Sequence, residues 1–243
     1  MVLSAAAALC SLLLSADPTL ALAKYDELWT RRDDSQAAAQ LEAMSKDFAA
    51  SQDYAELWRA ARWYHWIADD EPNSDKHKTL AKEGWDIGDR AKQINPTGVE
   101  GKYWTSVDIG AYSEAVGVIT ALAQGLESKF RDPILEVIAT DPNSQNPNLE
   151  YVGPEMAMGR YYYKLPWPKH SDSKSKEWLN RAIKARPDNL LAHYFLADTL
   201  KDHDAAAARK EIGIILAGSE AFDPPLARRV KRWAMRLATR IAE

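Results

Sequence analysis

Aromatic side chains are concentrated in three segments of this 243-residue chain, which has nine tryptophans and ten tyrosines. Aromatic rings in such numbers either fill a hydrophobic core or form a platform on which a ligand stacks. If they line a groove, its ligand would be a peptide or a small apolar molecule. The candidate ligand- or partner-binding residues are Trp58, Trp66, Tyr103, Trp104, Tyr161, Tyr162 and Tyr163.

The tryptophan-rich segment is predicted to be a helix that begins after Asp53. An inward-facing stripe on this helix, from Leu57 to Ala68, leaves Trp58, Trp63 and Trp66 on other faces. The helix therefore packs on more than one side or lines a cavity. Both interpretations of the aromatic set, core packing and a ligand groove, stay open at this point.

A second candidate surface is basic and lies in residues 224–243. Its apolar residues recur at helical spacing, and arginine and lysine take the remaining positions. Such a helix either caps the end of a helical array or binds an acidic partner or anionic lipid headgroups. The candidate contact residues on this helix are Arg228, Arg229, Arg232 and Arg236.

Chemistry that needs a metal, a cofactor or an activated nucleophile has no recognisable motif here. Cys10 is the single cysteine, so neither a disulfide framework nor a cysteine-based zinc site can be built. The five histidines include no pair at i, i+4, and no phosphate loop or nucleophile elbow is present. Asp33–Asp34 and Asp69–Glu71 lack the glycine of a calcium loop and are predicted to be helix caps and turns. We therefore predict a non-catalytic protein without metal or cofactor.

Composition limits the class of protein further. Hydrophobic residues make up 46% and charged residues 27% of the chain, as in an ordinary folded protein rather than a disordered one. The net charge of −4 argues against general nucleic-acid binding. No segment has 18 uninterrupted apolar residues, so no transmembrane segment is expected.

The first residues resemble a secretory signal peptide. Residues 2–16 are apolar and uncharged, and small residues follow them. We predict a signal peptide at 1–16, with cleavage after Ala23 as the alternative, and hence a periplasmic or exported protein. A buried N-terminal helix is the other interpretation. Cys10 follows the bulky Leu9 and lies inside the apolar run, so lipoprotein anchoring is not expected.

The segment from Ser175 to Ala208 predicts the fold. It is typical of a tetratricopeptide repeat, with one helix, a turn at Pro187 and a second helix. Ser175, Leu179 and Ala182 alternate small and large residues, which lets two antiparallel helices approach closely. Such pairs bury their apolar faces only by stacking on neighbours. The predicted fold is therefore all-α: an α-solenoid of antiparallel helix pairs with degenerate repeats, one domain at 17–243, and residues 224–243 as a C-terminal capping helix.

The middle of the chain is harder to divide into helices. The run EAVGVITALAQGLESKF, residues 114–130, is predicted to be one continuous helix because of its length and its Ala and Leu spacing. Asp132–Pro133 is predicted to start another short helix that ends at Ala139. The segment 141–148 is rich in Asp, Asn and Pro and is predicted to be a loop.

Several of these residues together resemble a known family. Val152-Gly153-Pro154-Glu155, Leu165-Pro166-Trp167-Pro168 and Tyr103-Trp104-Thr105 are similar to motifs of the TRAP-transporter T-component-like proteins, over roughly residues 18–215. The resemblance implies an all-helical fold, a periplasmic location and partnership with the solute-binding protein of a TRAP transporter.

The functional prediction is an exported helical-repeat scaffold or adaptor. Its repeat groove would bind a protein or peptide partner, and the scaffold interpretation allows a homo-oligomer. The alternative is a periplasmic accessory component of a TRAP-type transporter that binds a small apolar ligand or the solute-binding protein.

Overall fold

The computed structural model describes residues 18–242. Within that range the chain forms twelve α-helices and one short 3-10 turn at Pro147–Leu149, without a strand, so the all-α prediction is confirmed. The helices are α1 (Pro18–Trp29), α2 (Ser35–Ala49), α3 (Tyr54–Asp69), α4 (Ser74–Ile94), α5 (Val99–Val116), α6 (Val118–Ala123), α7 (Leu126–Thr140), α8 (Gly153–Lys164), α9 (Asp172–Ala185), α10 (Leu190–Leu200), α11 (Ala205–Ala217) and α12 (Pro224–Ala242).

The predicted signal peptide at 1–16, with Cys10, lies outside the described residues and stays a prediction. Ala23, the alternative cleavage site, lies inside α1. Between residues 18 and 242, no helix is both long enough and apolar enough to cross a bilayer.

Polar side chains fix where the helices begin. Asp34 accepts hydrogen bonds from the backbone N–H groups of Gln36 and Ala37 at the start of α2, and Asp53 does the same for α3. These side chains satisfy donors that the first helical turn leaves unpaired. Asn73, Asn189 and Asp204 cap α4, α10 and α11 in the same way.

Helices that follow one another in the chain pack together, as expected of a solenoid-like array. The unit predicted from Ser175 onwards is α9 and α10, joined by a turn at Pro187. Ser175, Leu179 and Ala182 of α9 are fully buried. Gly159 of α8 lies so close to Leu179 that a Cβ at position 159 would come within 2.6 Å of the leucine Cγ. Small residues therefore set the spacing between adjacent pairs.

The prediction for residues 114–130 is wrong. Gly117 and Gly125 have φ angles of 89° and 71°, which only glycine adopts freely, and they separate α5, α6 and α7. The predicted helix start at Asp132–Pro133 is also wrong, because α7 begins at Leu126 and runs through Pro133. Apolar spacing alone did not reveal these two breaks.

The array closes on itself. The backbone of α12 packs against α10 and α11, and its arginines reach across to the first helices of the chain. Arg228 Nε and Nη2 bond the carboxylate of Asp33 at 2.6 and 2.9 Å, and Trp233 Nε1 bonds Asp70 at 2.9 Å. The concave side of the array is thereby enclosed between its two ends.

Candidate functional site

A cavity of about 170 Å³ lies on the concave side of the array, and we call it the central cleft. Alternate helices provide most of its wall, as expected when the first helix of each pair faces inward. The polar and aromatic residues of its wall are Trp29, Arg62, His65, Trp66, Asp69, His77, Tyr103, Trp104, Glu114, Phe130, Glu150, Arg160, Phe195 and Arg229.

Two further cavities adjoin the central cleft. The side cavity, of about 500 Å³, shares Trp29, Arg62, Trp104 and Glu150 with it and extends towards Phe222 and Asp223. The apolar pocket, of about 90 Å³, lies between α5, α6, α7 and α8. Its apolar wall consists of Val118, Ala121, Leu122, Leu126, Phe130 and Leu165.

Three of the predicted aromatic residues lie on the wall of the central cleft: Trp66, Tyr103 and Trp104. All three are buried, and Trp104 is only 1% exposed. Its Nε1 donates to the carbonyl oxygen of Asn148 at 3.1 Å, and its ring makes an edge contact with Tyr103 at 4.8 Å. The sequence left core packing and cleft lining open for these residues, and in the structure Trp66, Tyr103 and Trp104 do both.

The other four predicted aromatic residues lie elsewhere. Tyr161 lines the apolar pocket, where it stacks on Phe130 and donates a hydrogen bond to Glu127 at 2.7 Å. Trp58, Tyr162 and Tyr163 line neither the central cleft, nor the side cavity, nor the apolar pocket. Trp58 instead stacks under the guanidinium of Arg59.

Arginines and tryptophans alternate in a column, which we call the Arg–Trp column, and four of its members line the central cleft: Trp29, Arg62, Trp66 and Arg229. The guanidinium of Arg62 lies 4.0 Å from the ring of Trp29, and that of Arg32 lies 4.3 Å from Trp29 and 4.2 Å from Trp66. The guanidinium of Arg229 lies 3.0 Å from the ring of Trp66. Cation–π contacts of this kind strengthen when they are removed from water.

The column buries more positive charge than is usual. Arg32, Arg62 and Arg229 are 2%, 5% and 5% exposed, and the Nε of each lacks a hydrogen-bond partner among the described residues. Arg32 pairs with Asp223 at 2.7 Å, and Arg62 pairs with Asp26 at 3.1 Å. Burial lowers the pKa of Arg62, and it lowers the pKa of Arg229 to about 10.

The predicted basic surface on α12 is engaged within the molecule. Arg228 pairs with Asp33, and Arg229 donates to the carbonyl oxygen of Trp66 at 2.8 Å. Arg232 and Arg236 lie 3.4 and 3.8 Å from Asp70. These four arginines hold the end of the array to its beginning, and only Arg229 reaches the central cleft.

A histidine–aspartate pair stands beside Trp104 in the cleft. Nδ1 of His65 lies 3.1 Å from Oδ1 of Asp108, which is fully buried, while His65 is partly exposed to the cleft. Burial raises the pKa of Asp108 to about 6 against the opposing charge of His65. Burial would lower the pKa of His65, but the hydrogen bond and charge of Asp108 outweigh it and raise that pKa.

We expect Asp108→Asn to remove a pH dependence of stability. Because the folded pKa values of Asp108 and His65 both exceed their unfolded values, the folded state binds the extra protons, and stability falls as pH rises from about 4 towards 8. Thermal unfolding at pH 4.5 and 7.5 measures the effect. The Tm of the variant relative to that of the wild-type protein should be higher at pH 7.5 than at pH 4.5. If the difference in Tm between the two proteins is the same at both pH values, this assignment is excluded.

The loop before α8 places one more acidic residue, Glu150, on the wall of the central cleft. Glu150 has a φ of 55°, a left-handed conformation that is strained for a residue with a side chain. It lies where the central cleft meets the side cavity, and burial raises the pKa of its carboxyl. Its Oε2 lies 3.5 Å from the hydroxyl of Tyr103.

Sequence reasoning missed Arg62, His65 and Glu150 as cleft residues. On α3, Trp66 lies four positions after Arg62, and Asp69 lies three positions after Trp66. Helical spacing applied to polar as well as aromatic residues would have shown that these three share one face. Glu150 gave no such signal, because its position depends on the turn geometry of its loop. In the part of the chain that the structure describes, no cluster of three or more His, Cys, Asp or Glu side chains could hold a metal ion.

The comparisons with known proteins correct the family prediction. The model of the family described as "Regulator of microtubule dynamics protein 1-3" matches residues 21–165, which begin in α1 and end just after α8. The resemblance to TRAP-transporter T-component-like proteins is therefore wrong. One of its motif residues, Gly153, serves close packing in this fold, because a Cβ there would lie 2.3 Å from the hydroxyl of Tyr103, whereas Trp167 is exposed.

No curated protein matches the chain in a direct comparison. The family match covers more than half of the 243 residues, and α9 to α12 lie beyond it. The chain belongs to the family of regulators of microtubule dynamics, proteins 1 to 3.

Proposed function

We propose that this protein is a non-catalytic adaptor whose central cleft binds an extended peptide segment of a partner protein. The observation that carries the proposal is the Arg–Trp column, from which Trp29, Arg62, Trp66 and Arg229 line the central cleft. The family name refers to microtubules, which are protein polymers, and this agrees with a protein partner.

The charges of the cleft favour a peptide main chain over a simple ion. Its wall has three arginines, Arg62, Arg160 and Arg229, and three acids, Asp69, Glu114 and Glu150. A ligand that fits this balance is uncharged overall but carries both donors and acceptors. The carbonyl oxygens of an extended peptide would accept from the arginines, and its N–H groups would donate to the carboxylates.

The size of the cleft favours an extended segment over a helix. A volume of about 170 Å³ holds on the order of ten water molecules. A helix is about 10–12 Å across with its side chains and would need the array to open. An extended chain advances about 3.3 Å per residue, so a few residues would occupy the cleft and the adjoining side cavity.

Val107→Trp should abolish this binding, because Val107 lies on the cleft wall and a large side chain there would fill the space. The probe is a library of random heptapeptides selected on the wild-type chain. Enriched peptides should bind the variant at least tenfold more weakly. Leu135→Trp is the matched control, because Leu135 is exposed on α7 and should leave binding intact. Failure to enrich any peptide, or equal binding to both variants, would contradict the proposal.

The apolar pocket supports a second candidate function, which is binding of a small apolar ligand. Much of its wall is apolar, with charged residues beside it, and it shares Gly110, Glu114, Phe130 and Arg160 with the central cleft. In the same set of experiments, native mass spectrometry would show a co-purified small molecule that is retained in Val107→Trp and lost in Val118→Trp. That result would favour the second candidate over the first.

We also propose that the protein is exported. This part of the proposal rests only on the apolar character of residues 2–16.

A further inference from the structure

The two ends of the helical array are held together by a set of side-chain contacts that we call the clasp. It joins Asp223, Arg228 and Arg232 to Arg32, Asp33 and Asp70, across 162 to 195 positions in the sequence. The backbone of α12 belongs to the other end, because it packs on α10 and α11. The clasp therefore connects two parts of the molecule through polar side chains.

The clasp lies directly beside the central cleft. Leu226 and Arg229 of α12 form part of the cleft wall, where Arg229 lies against Trp66. If α12 moved away from α1 and α3, this wall would move with it and the cleft would widen. The state of the clasp thus sets the width of the cleft.

The contacts of the clasp differ in strength. The Arg32–Asp223 pair is largely removed from water, whereas the side chains of Arg228, Arg232 and Arg236 are between 43% and 63% exposed. Exposed pairs contribute little each and are screened by salt. Losing such pairs can therefore shift the equilibrium between a closed and an open cleft without unfolding the chain.

We propose that the clasp is a latch, and that breaking its exposed ion pairs opens the central cleft to the incoming segment. The identity of what enters rests on the proposed function, but the opening does not. One side of the clasp, Asp223 and the arginines of α12, lies beyond the part of the chain that matches the family model, and its partners Arg32, Asp33 and Asp70 lie within that part.

A charge exchange at Asp33 and Arg228 tests the latch in the full chain. Spin labels on Gln40→Cys and Met235→Cys, both exposed positions, report the distance between α2 and α12 in a Cys10→Ser background. Asp33→Arg or Arg228→Asp alone should raise the open fraction about twofold to fivefold. The double variant should return it towards the wild-type value. Salt at 1 M should open the wild-type chain and change the single variants less.

The outcomes separate the latch from a merely structural contact. Asp202→Arg, a charge change at an exposed residue whose ion pair is with Lys201, should leave the distances unchanged. Identical distances in all variants, or a double variant as open as the single ones, would overturn the latch. Because the labels need no ligand, a clasp that opens while no heptapeptide binds would refute only the proposed function. Peptide binding with an unresponsive clasp would refute only the latch.

Discussion

Replacing Trp104 with alanine should destabilise the protein by about 3–5 kcal/mol, the range for removing a large buried aromatic side chain. The ring is fully enclosed, contacts Tyr103 and His65, and donates its one hydrogen bond to the carbonyl oxygen of Asn148. The variant loses this packing and leaves the Asn148 carbonyl without that donor. Chemical denaturation followed by circular dichroism would measure the loss.

Trp167→Ala is the matched control for Trp104. This tryptophan is 88% exposed, and its replacement should change stability by no more than about 0.5 kcal/mol. A Trp104 variant as stable as this control would mean that the residue belongs to a groove that tolerates rearrangement. The wall of the cleft would then be more deformable than the structure indicates.

Asp223→Asn should cost about 3 kcal/mol, because it leaves the buried guanidinium of Arg32 without its negative partner. Asparagine is nearly the same size and can still cap α12, where Asp223 Oδ1 accepts from the N–H of Leu226 at 3.1 Å. The substitution therefore removes the charge and leaves the cap. Urea unfolding of the two proteins at pH 7 gives the difference in free energy.

The control for this substitution is Asp86→Asn. Asp86 pairs with Lys82 one helical turn away, and the side chains are 60% and 43% exposed. Such pairs contribute about 0.3–0.5 kcal/mol, so the loss should be several times smaller than at position 223. Equal losses at the two positions would show that burial of Arg32 does not raise the cost of its unpaired charge.

Much of the fold could be predicted from the sequence, because its signals are local. Capping residues such as Asp34 and Asp53 stand directly before the helices they start, and Ser175, Leu179 and Ala182 show the spacing of a packed helix pair. The breaks at Gly117 and Gly125 were not predicted. A glycine inside an apolar run is compatible with both a helix and a turn until its neighbours decide its φ angle.

Less of the candidate site could be predicted, because it depends on contacts between distant parts of the chain. The aromatic set led to Trp66, Tyr103 and Trp104, which do line the cleft. The arginines of α12 allowed two interpretations, a capping helix or a surface for an outside partner, and the structure gives them acidic partners within the chain. Arg228 and Asp33 are 195 positions apart, so no local pattern reveals that they meet.

The family resemblance failed for a related reason. Its motifs include a glycine and aromatic rings at a close helix contact, Gly153 against Tyr103. Packing of that kind recurs in helical repeats of separate families, so it identifies the architecture better than the lineage. The match over residues 21–165 assigns the family instead.

Joining the first and last helices changes how the molecule should come apart. In an open array each repeat contacts only its neighbours, so unfolding can begin at either end and spread one repeat at a time. Here the terminal repeats are tied to each other by Arg32–Asp223 and Arg228–Asp33, and neither end is free to fray alone. The chain should therefore lose its structure in one cooperative step, and it should fold more slowly than an open array of the same length because those distant contacts must first be found.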